Sequence, residues 1–536
     1  MEKIYQKTCE FDLAALLIRA YKKTDKPFWS AFFSAFAALS LIFLFHGVQF
    51  MFGDHDWTFL KDGIRLDARV FEGRFTQFIL INALAQGEIL PIINNILGFI
   101  GFCLGGALLA KYWQLPHNKQ TYIIFALFTA ITPYILSFMY FAFLIIPILS
   151  WSAFIIGALV ISEKETFSSL RKAPLSTIVK SLISIFLITM ALGGYPPVIN
   201  LLAVTLGVRL LLAICYEKTS IKDLCQHYMW SVINIILALG IYKLCLIYLT
   251  KSGALNADYY NLQTTPINEW GSKLLLVIKD IFLQFQATLP FISAFYKGCL
   301  GMLAILGIWT IWQNKKQRWL GYVLYFGIFL GAMITLFLST SLKETEFSPR
   351  IDFFGFIYVM SGVLALILRS NNKIIKNIAY VLVGCCLISN TNALFEGQKV
   401  WHLGFKTEMN LYKRVARRFQ ANERFNQYGH YIIVQSGAPS FRKRFYHDKY
   451  NYPSDDLLDT AYVPGMASGV MWDYYGIYEY ADKTSYVYTF TPDVEFKQKL
   501  SEAEVWPKAR STAVGGYWIL LILDRSNLRT LQHQYL

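Results

Sequence analysis

TYIIFALFTAITPYILSFMYFAFLIIPILSWSAFIIGALVIS, residues 121–162, carries no charged residue over 42 positions. A membrane-spanning helix needs about 20 apolar residues, so this stretch is long enough for two spans, and we place the break between them at Pro133. Charged residues make up only 16% of the whole chain, against about 25% in an average soluble protein. The sequence therefore predicts a polytopic helical membrane protein.

Apolar runs of similar length recur on both sides of this stretch, and eleven segments in total are predicted to span the membrane. Their ranges are 28–50, 91–110, 121–137, 139–162, 178–193, 198–215, 229–250, 297–313, 319–340, 351–369 and 377–394. The predicted organisation is a cytoplasmic N-terminal segment (1–27), a transmembrane region (28–395) and a soluble extracytoplasmic C-terminal domain (396–536).

The distribution of Lys and Arg sets the predicted orientation. With the N-terminus inside, the inner segments hold twenty Lys and Arg residues and the outer loops before the tail hold nine. This asymmetry follows the positive-inside rule and puts the C-terminal tail outside. From Trp401 onward 17 basic residues nearly balance 14 acidic ones, so the net charge of +15 comes from the short loops. That distribution indicates topology control rather than nucleic-acid binding.

The tail is predicted to fold as a small α/β domain. Helical spacing is found at 406–420 and 493–503, and short apolar β-branched or aromatic runs at 431–434 and 517–521 predict buried strands. In the loop before the eighth span, residues 273–285 also show helical spacing, which predicts a helix lying on the membrane surface.

The first outer loop, 51–90, concentrates charges of both signs. Five acidic and four basic residues fall within the 21 positions from Asp54 to Arg74. Asp54 or Asp56 could act as a general base towards an attacking hydroxyl, or the pair could hold a divalent cation such as Mg²⁺ or Mn²⁺ against a phosphate. Arg69 and Arg74 are candidate phosphate ligands, because a guanidinium matches a phosphate in a bidentate way. The alternative is a solvated loop whose charges form surface ion pairs.

Four more residues are candidates for substrate contact. Trp57 and Glu72 lie in the same loop, and Tyr195 lies in the turn Gly-Gly-Tyr-Pro-Pro at 193–197. Arg350 directly precedes the tenth span and could bind a phosphate. The alternatives are a simple tight turn for Tyr195 and snorkelling to lipid head groups for Arg350.

Arg209 falls inside an apolar span, where ionisable residues often mark functional sites. It lies close enough to the end of the span for snorkelling to explain it. We therefore do not include it among the candidate site residues.

The first loop resembles that of the bacterial type-II Gtr glucosyltransferases, multi-span enzymes related to the serotype-converting O-antigen glucosyltransferases. That family carries an acidic pair after the first span and a Gly-Arg pair later in the same loop. Asp54 and Asp56 match the first feature and Gly73-Arg74 the second, and Pro349-Arg350 is similar to a Pro-Arg pair of a late span. His55 separates the two carboxylates here, so the resemblance leaves open which Asp is catalytic.

The resemblance implies a GT-C-like architecture in a bacterial inner membrane and a glycosyltransferase activity. The donor would be a sugar, glucose in these relatives, on polyprenyl phosphate, and the acceptor a surface glycan such as the O-antigen of lipopolysaccharide. On this hypothesis Asp54 or Asp56 is the base of an inverting displacement, and Arg74 with Arg69 or Arg350 stabilises the departing phosphate. A retaining mechanism with a carboxylate nucleophile stays open.

Two other functions stay open from the sequence. One is a transporter or flippase for a lipid-linked glycan, and the other is a polymerase or ligase that uses a diphosphate-linked donor. All three predict membrane lipids as partners, and none requires a nucleic acid.

Overall fold

The fold is described from a computed structural model, which describes residues 25–44, 74–86, 91–136, 145–163, 165, 169, 172–217, 221–253, 271, 293–313, 318–339, 349–426, 432–436, 491–523 and 525–536. Every predicted span contains helical backbone within these ranges. The helices up to residue 420 are α1 (Lys26–Ile42), α2 (Phe75–Ala85), α3 (Pro91–Tyr112), α4 (Lys119–Ala130), α5 (Ile145–Ser162), α6 (Pro174–Gly194), α7 (Ile199–Tyr216), α8 (Ile221–Lys251), α9 (Ala294–Gln313), α10 (Arg318–Ser339), α11 (Pro349–Arg369) and α12 (Lys373–Gln420).

Six stretches of helix are long and apolar enough to cross a membrane, within the described part of the chain. They are Asn95–Tyr112, Pro174–Gly194, Pro196–Tyr216, Tyr228–Lys251, Ala294–Gln313 and Lys373–Lys399. Three shorter apolar helices, Lys26–Ile42, Trp151–Ser162 and Ile357–Arg369, accompany them. The helical, membrane-embedded character is thus supported, while the total of eleven spans stays a prediction.

The third predicted span is not one continuous helix. Helix α4 has 12 residues, about 18 Å at 1.5 Å per residue, which is too short to cross a hydrocarbon layer of about 30 Å. Thr132 is extended and a 3₁₀ turn follows at Pro133–Ile135. The predicted break at Pro133 is confirmed, and a single continuous helix over the predicted span 121–137 is wrong, because proline has no N–H to donate and disfavours a helical residue before it.

The outward surface of several helices is apolar. On α6, the exposed side chains Leu175, Ile178, Leu182 and Phe186 recur every three or four residues, while Ser181 and Ser184 are buried on the other side. An exposed apolar stripe of this kind is unfavourable in water and fits a lipid environment. Ser181 and Ser184 therefore face the protein interior.

One end of the helical bundle is marked by contacts between the starts and ends of distant helices. Asp25, which caps the start of α1, bonds to His117 in the connection after α3 (Oδ1 to Nε2, 2.6 Å). Close to that connection, the Trp113 carbonyl accepts a hydrogen bond from Arg369 at the end of α11 (3.3 Å). We call this the Arg209 end, after the side chain at its centre; its location on the cytoplasmic side stays a prediction from the charge pattern.

The opposite end gathers the other helix termini. Gln398 of α12 donates to the carbonyl of Ile42 at the end of α1 (3.0 Å), and Asn390 donates to the carbonyl of Ile131 just after α4 (2.8 Å). Helix α6 ends on this side, next to Tyr195. We call it the Tyr195 end; its location on the outer side stays a prediction from the charge pattern.

Helix α12 joins the last predicted span to the C-terminal region without a break. Its 48 residues extend about 72 Å, more than twice the thickness of the hydrocarbon layer. The last span and the amphipathic helix predicted at 406–420 are therefore parts of one helix. The predicted boundary at 395/396 falls within it.

The described residues of the C-terminal region form a small three-stranded sheet with two helices. The elements are β1 (Ile432–Ser436), α13 (Val494–Ser501), β2 (Thr512–Val514), β3 (Trp518–Ile522) and α14 (Arg525–Tyr535). Strand β3 lies in the centre, parallel to β1 and antiparallel to β2. The predicted α/β character and both predicted strands are confirmed, while β2 and α14 were not predicted.

The sheet packs on the far part of α12. Leu411, Tyr412, Val415 and Phe419 are buried there in one cluster with side chains of β2 and β3. Every residue of β3 is buried, which explains its uninterrupted apolar sequence. The long helix thus holds the C-terminal domain away from the membrane-embedded bundle.

Candidate functional site

Most of the predicted site residues lie outside the part of the chain that the structure describes. These are Asp54, Asp56, Trp57, Arg69 and Glu72. Arg350 is the second residue of α11, where only the backbone is described. The general base, the divalent-cation site and part of the phosphate-binding set therefore stay predictions. Arg74 and Tyr195 are described.

Arg74 and Tyr195 come together at the Tyr195 end. Arg74 directly precedes α2, and Tyr195 directly follows α6. The guanidinium carbon of Arg74 lies 5.5 Å from the centre of the Tyr195 ring, in a cation–π arrangement. The Tyr195 side chain is buried, and Arg74 is half-buried. Two candidates from separate loops are thus neighbours.

Two consecutive glycines make this approach possible. A Cβ added to Gly193 would lie 2.5 Å from Phe75 Cζ and Thr76 Oγ1, and a Cβ on Gly194 would overlap the indole of Trp151. Helix α2 therefore packs against one side of the end of α6, and α5, which carries Trp151, packs against the other. The predicted tight turn is confirmed, since Tyr195 is extended and a 3₁₀ turn follows at Pro196–Val198, but the glycines also serve close packing.

Buried polar atoms without partners occur on the helices that begin or pack at this junction. Both amide atoms of Gln77, both amide atoms of Asn200 and the indole Nε1 of Trp151 lack a hydrogen-bond partner in the described part of the chain. All three side chains are at most 1% exposed. An unsatisfied buried polar group costs about 1–3 kcal/mol, so such groups are expected to meet water or a ligand.

We call the group Arg74, Gln77, Trp151, Tyr195 and Asn200 the Arg74 site. Gln77 lies three residues after Arg74 in α2, Trp151 covers Gly194, and Asn200 lies in the first turn of α7. It combines a cation, two amides and two aromatic rings with polar edges, all of which can interact with a phosphate or a sugar hydroxyl. Sequence reasoning missed Gln77 and Asn200, although an amide inside an apolar run is a signal that could have found them.

The Arg209 end contains a different kind of polar cluster. Arg209 Nε lies 3.1 Å from a carboxylate oxygen of Glu163, and its Nη1 lies 2.5 Å from Glu217. Arg369 Nη1 also contacts Glu217, at 3.1 Å. The Arg209 side chain is only 3% exposed. The prediction that Arg209 snorkels to the interface is therefore wrong, because its charge is neutralised inside the protein.

The pKa of Glu217 reflects this pairing. Burial alone would raise the pKa of this carboxyl, but hydrogen bonds and charge from Arg209 and Arg369 outweigh it and lower the pKa. The pKa of Glu165 is also lowered. Burial would raise it, but hydrogen bonds from Lys180 (2.6 Å) and Thr177 outweigh that effect. These carboxylates are ionised and paired near neutral pH, as a structural cluster requires.

Comparison of the chain with protein-family models, with curated proteins and with solved structures finds no match. No group of three or more His, Cys, Asp or Glu that could hold a metal ion is found among the described residues. Asp54 and Asp56 are not among those residues. The resemblance to the Gtr glucosyltransferases and the divalent cation therefore stay predictions, and the geometry of the Arg74 site is the structural evidence that bears on function.

Proposed function

We propose that this chain is a membrane glycosyltransferase that transfers a sugar from a polyprenyl-phosphate donor to a surface glycan at the outer face of a bacterial inner membrane. One observation carries the proposal: Arg74 lies against Tyr195 next to buried amides that lack partners in the described part of the chain. The sequence resemblance independently assigns Arg74 to the donor phosphate. The sugar that the resemblance implies is glucose, and the acceptor that it implies is O-antigen.

The chemistry assigns a role to each group at the Arg74 site. The Arg74 guanidinium would pair with the donor phosphate, and its cation–π contact with Tyr195 would fix its orientation. The amides of Gln77 and Asn200 can both donate to and accept from sugar hydroxyls. Their burial makes such bonds strong and selective, because a substrate lacking the hydroxyl leaves a buried group unpaired.

The reaction would be a single displacement. Asp54 or Asp56 takes the proton of the acceptor hydroxyl, whose oxygen forms a bond to the anomeric carbon. The bond from that carbon to the phosphate oxygen breaks, and polyprenyl phosphate leaves with its new charge stabilised by Arg74, assisted by Arg69 or Arg350. A divalent cation held by Asp54 and Asp56 could share this last role.

A transporter or flippase is the second candidate, favoured by the buried ionisable cluster around Arg209. Transporters usually place such groups near the middle of the membrane, on interrupted helices. Arg209 instead joins Glu163 and Glu217, which lie just past the ends of α5 and α7. Its charge is paired in the structure, so the cluster supports a structural role better than a transport site.

The proposed function is tested by transfer of labelled glucose from polyprenyl-phosphate glucose to bacterial membranes that carry lipid-linked O-antigen. The purified full chain in nanodiscs is expected to move label to the acceptor, and Asp54→Asn or Asp56→Asn to abolish transfer. Parallel reactions with EDTA, Mg²⁺ or Mn²⁺ decide the cation requirement. Arg414→Gln, which removes an exposed charge of α12, is the control. Absence of transfer by the wild-type chain, or full activity of both Asp variants, would contradict the proposal.

A further inference from the structure

The C-terminal domain contains a cavity of about 480 Å³ between α14 and the segment 503–508. This volume is within the range of about 300–1,000 Å³ typical of small-ligand sites. Its lining includes three cationic side chains, from Lys508, Arg525 and Arg529, and a single acidic one, from Glu504. The cavity is therefore positively charged.

The two arginines keep their charge available. Arg525 and Arg529 lie one helical turn apart on the same side of α14, both are exposed, and neither forms an ion pair with any other described residue. Lys508 contacts Glu504 at 3.0 Å, but an exposed pair four residues apart contributes little and exchanges readily. Like charges at this spacing repel each other on a helix, so an anion bound between them would be stabilised.

The wall of the cavity is fixed to the long helix. Arg418 of α12 lies over the Trp506 ring, 4.4 Å from its centre. It also donates hydrogen bonds to the carbonyls of Pro507 (3.2 Å) and Lys508 (2.9 Å). On the other side, Leu528 is buried in the core of the domain. The cavity is thus held open by packed elements, which reduces the entropy cost of binding.

We propose that this cavity binds an acidic sugar unit of a surface glycan, one that carries a carboxylate or a phosphate. The guanidinium groups of Arg525 and Arg529 would pair with the acidic group, since their planar forks match both kinds of anion. Gln532, Val505 and Leu528 line the remaining surface, which offers an amide for hydroxyls and an apolar face for the sugar ring. This binding does not depend on the transferase activity.

An anionic lipid head group is the other source of a negative charge, and the distance disfavours it. The sheet packs on α12 from Leu411 onward, twelve residues past Lys399, where the candidate span ends. Twelve helical residues extend about 18 Å, whereas the head-group layer on one side of a bilayer is about 5–8 Å thick. A glycan that extends from the membrane reaches this height, and a lipid head group does not.

The test is calorimetric titration of the full chain in nanodiscs of neutral lipid. Trigalacturonic acid is expected to bind, and uncharged maltotriose is not. The double variant Arg525→Gln/Arg529→Gln is expected to weaken binding at least tenfold. The control Lys497→Gln/Lys499→Gln removes the same charge from exposed positions of α13 that do not line the cavity, and binding is expected to stay within twofold of wild type.

Four outcomes would overturn the proposal. These are absence of trigalacturonate binding, equal weakening by the control variant, inorganic phosphate binding as tightly as trigalacturonate, and binding of phosphatidylglycerol vesicles but of no oligosaccharide through Arg525 and Arg529. The third would indicate a bare anion site and the fourth a membrane contact. Because the readout is binding to the C-terminal domain, it is unaffected by whether the Arg74 site transfers a sugar.

Discussion

The buried charges at one end of the helical bundle are paired, whereas two buried amides at the other end have no partner among the described residues. At the Arg209 end, the charges of Arg209, Glu163 and Glu217 are neutralised by one another at distances of 2.5–3.1 Å. At the Tyr195 end, Gln77 and Asn200 are equally buried, but their amides lack partners in the described part of the chain. Satisfied polar groups hold a structure together, whereas unsatisfied ones cost stability and are retained where a ligand needs them. The paired charges therefore support a structural role for the Arg209 end, and the unpaired amides make the Tyr195 end the candidate for ligand binding.

The largest expected effect is on stability at the Arg209 end. Arg209→Ala removes the cation that contacts both Glu163 and Glu217 in this buried site and leaves Glu217 with Arg369 alone, which costs about 3–5 kcal/mol. Thermal unfolding of the purified chain in detergent should show a large drop in melting temperature. Lys119→Met removes an exposed cation at the start of α4 and should change stability by less than about 0.5 kcal/mol. Equal destabilisation by the two variants would show that the ion pairs of Arg209 contribute no more to stability than an exposed charge does.

The next effect is on activity at the Tyr195 end. Arg74→Ala should lower the transfer rate about 100-fold to 1,000-fold, since it removes a group that stabilises the departing phosphate. Its melting temperature should stay close to that of wild type, because Arg74 is half-buried and outside the helices. Arg74→Lys should recover part of the activity, as it restores the charge without the bidentate fork. A full-rate Arg74→Ala enzyme would contradict the phosphate assignment.

A smaller effect on activity distinguishes a role of Gln77 in ligand binding from a purely structural cost of burying its amide. Gln77→Leu should leave stability unchanged or raise it by about 1 kcal/mol, because it removes unsatisfied polar atoms. The same variant should lower transfer about tenfold. Asn234→Leu is the matched control, since Asn234 is also buried with an unpartnered Nδ2 among the described residues but lies within α8, away from the Arg74 site. It should have the same effect on stability and none on transfer. Unchanged transfer in Gln77→Leu would assign Gln77 to the structure alone.

The smallest effect is the pH dependence of the Arg209 end. Because pairing lowers the pKa of Glu217 in the folded protein, its contribution to stability is present above its ordinary pKa of about 4.5 and is lost as the pH falls through the lowered value. Melting temperature should therefore be flat between about pH 7 and pH 5 and fall below about pH 4.5. Glu217→Gln cannot titrate at this position, so its curve should fall less steeply. Identical slopes in wild type and variant would show that groups other than Glu217 cause the loss of stability at low pH.

The sequence predicted those helices, strands and breaks that are determined by residues close together in the chain. Apolar runs located the helices, Pro133 located the break after α4, and short apolar runs located β1 and β3, because each of these follows from the chemistry of neighbouring residues. The continuity of α12 was missed. The polar segment after Phe395 looked like the end of a span, but Gly397 packs against Leu136 and the helix continues, supported by a contact that no local pattern contains.

The candidate site was predictable only in part for the same reason. Arg74 and Tyr195 were each identified from their loops, but five described helices (α2 to α6) lie between them in the chain, so their contact could not be inferred from either loop. The partners of Arg209 follow two different helices, so an apparently isolated charge in an apolar run was interpreted as snorkelling. Gln77 and Asn200 are amides within apolar runs, which is a weak sequence signal, and their burial without a partner in the described part of the chain is shown only by the tertiary structure.

Photocrosslinking tests most directly whether the Arg74 site holds the donor. A benzophenone amino acid at position 77 should crosslink radiolabelled polyprenyl-phosphate glucose, and the crosslink should disappear when Arg74→Ala is introduced. The same probe at position 234 should give no crosslink. Equal crosslinking from both positions, or none from position 77 in a preparation that transfers glucose, would contradict a donor site formed by Arg74 and its buried neighbours.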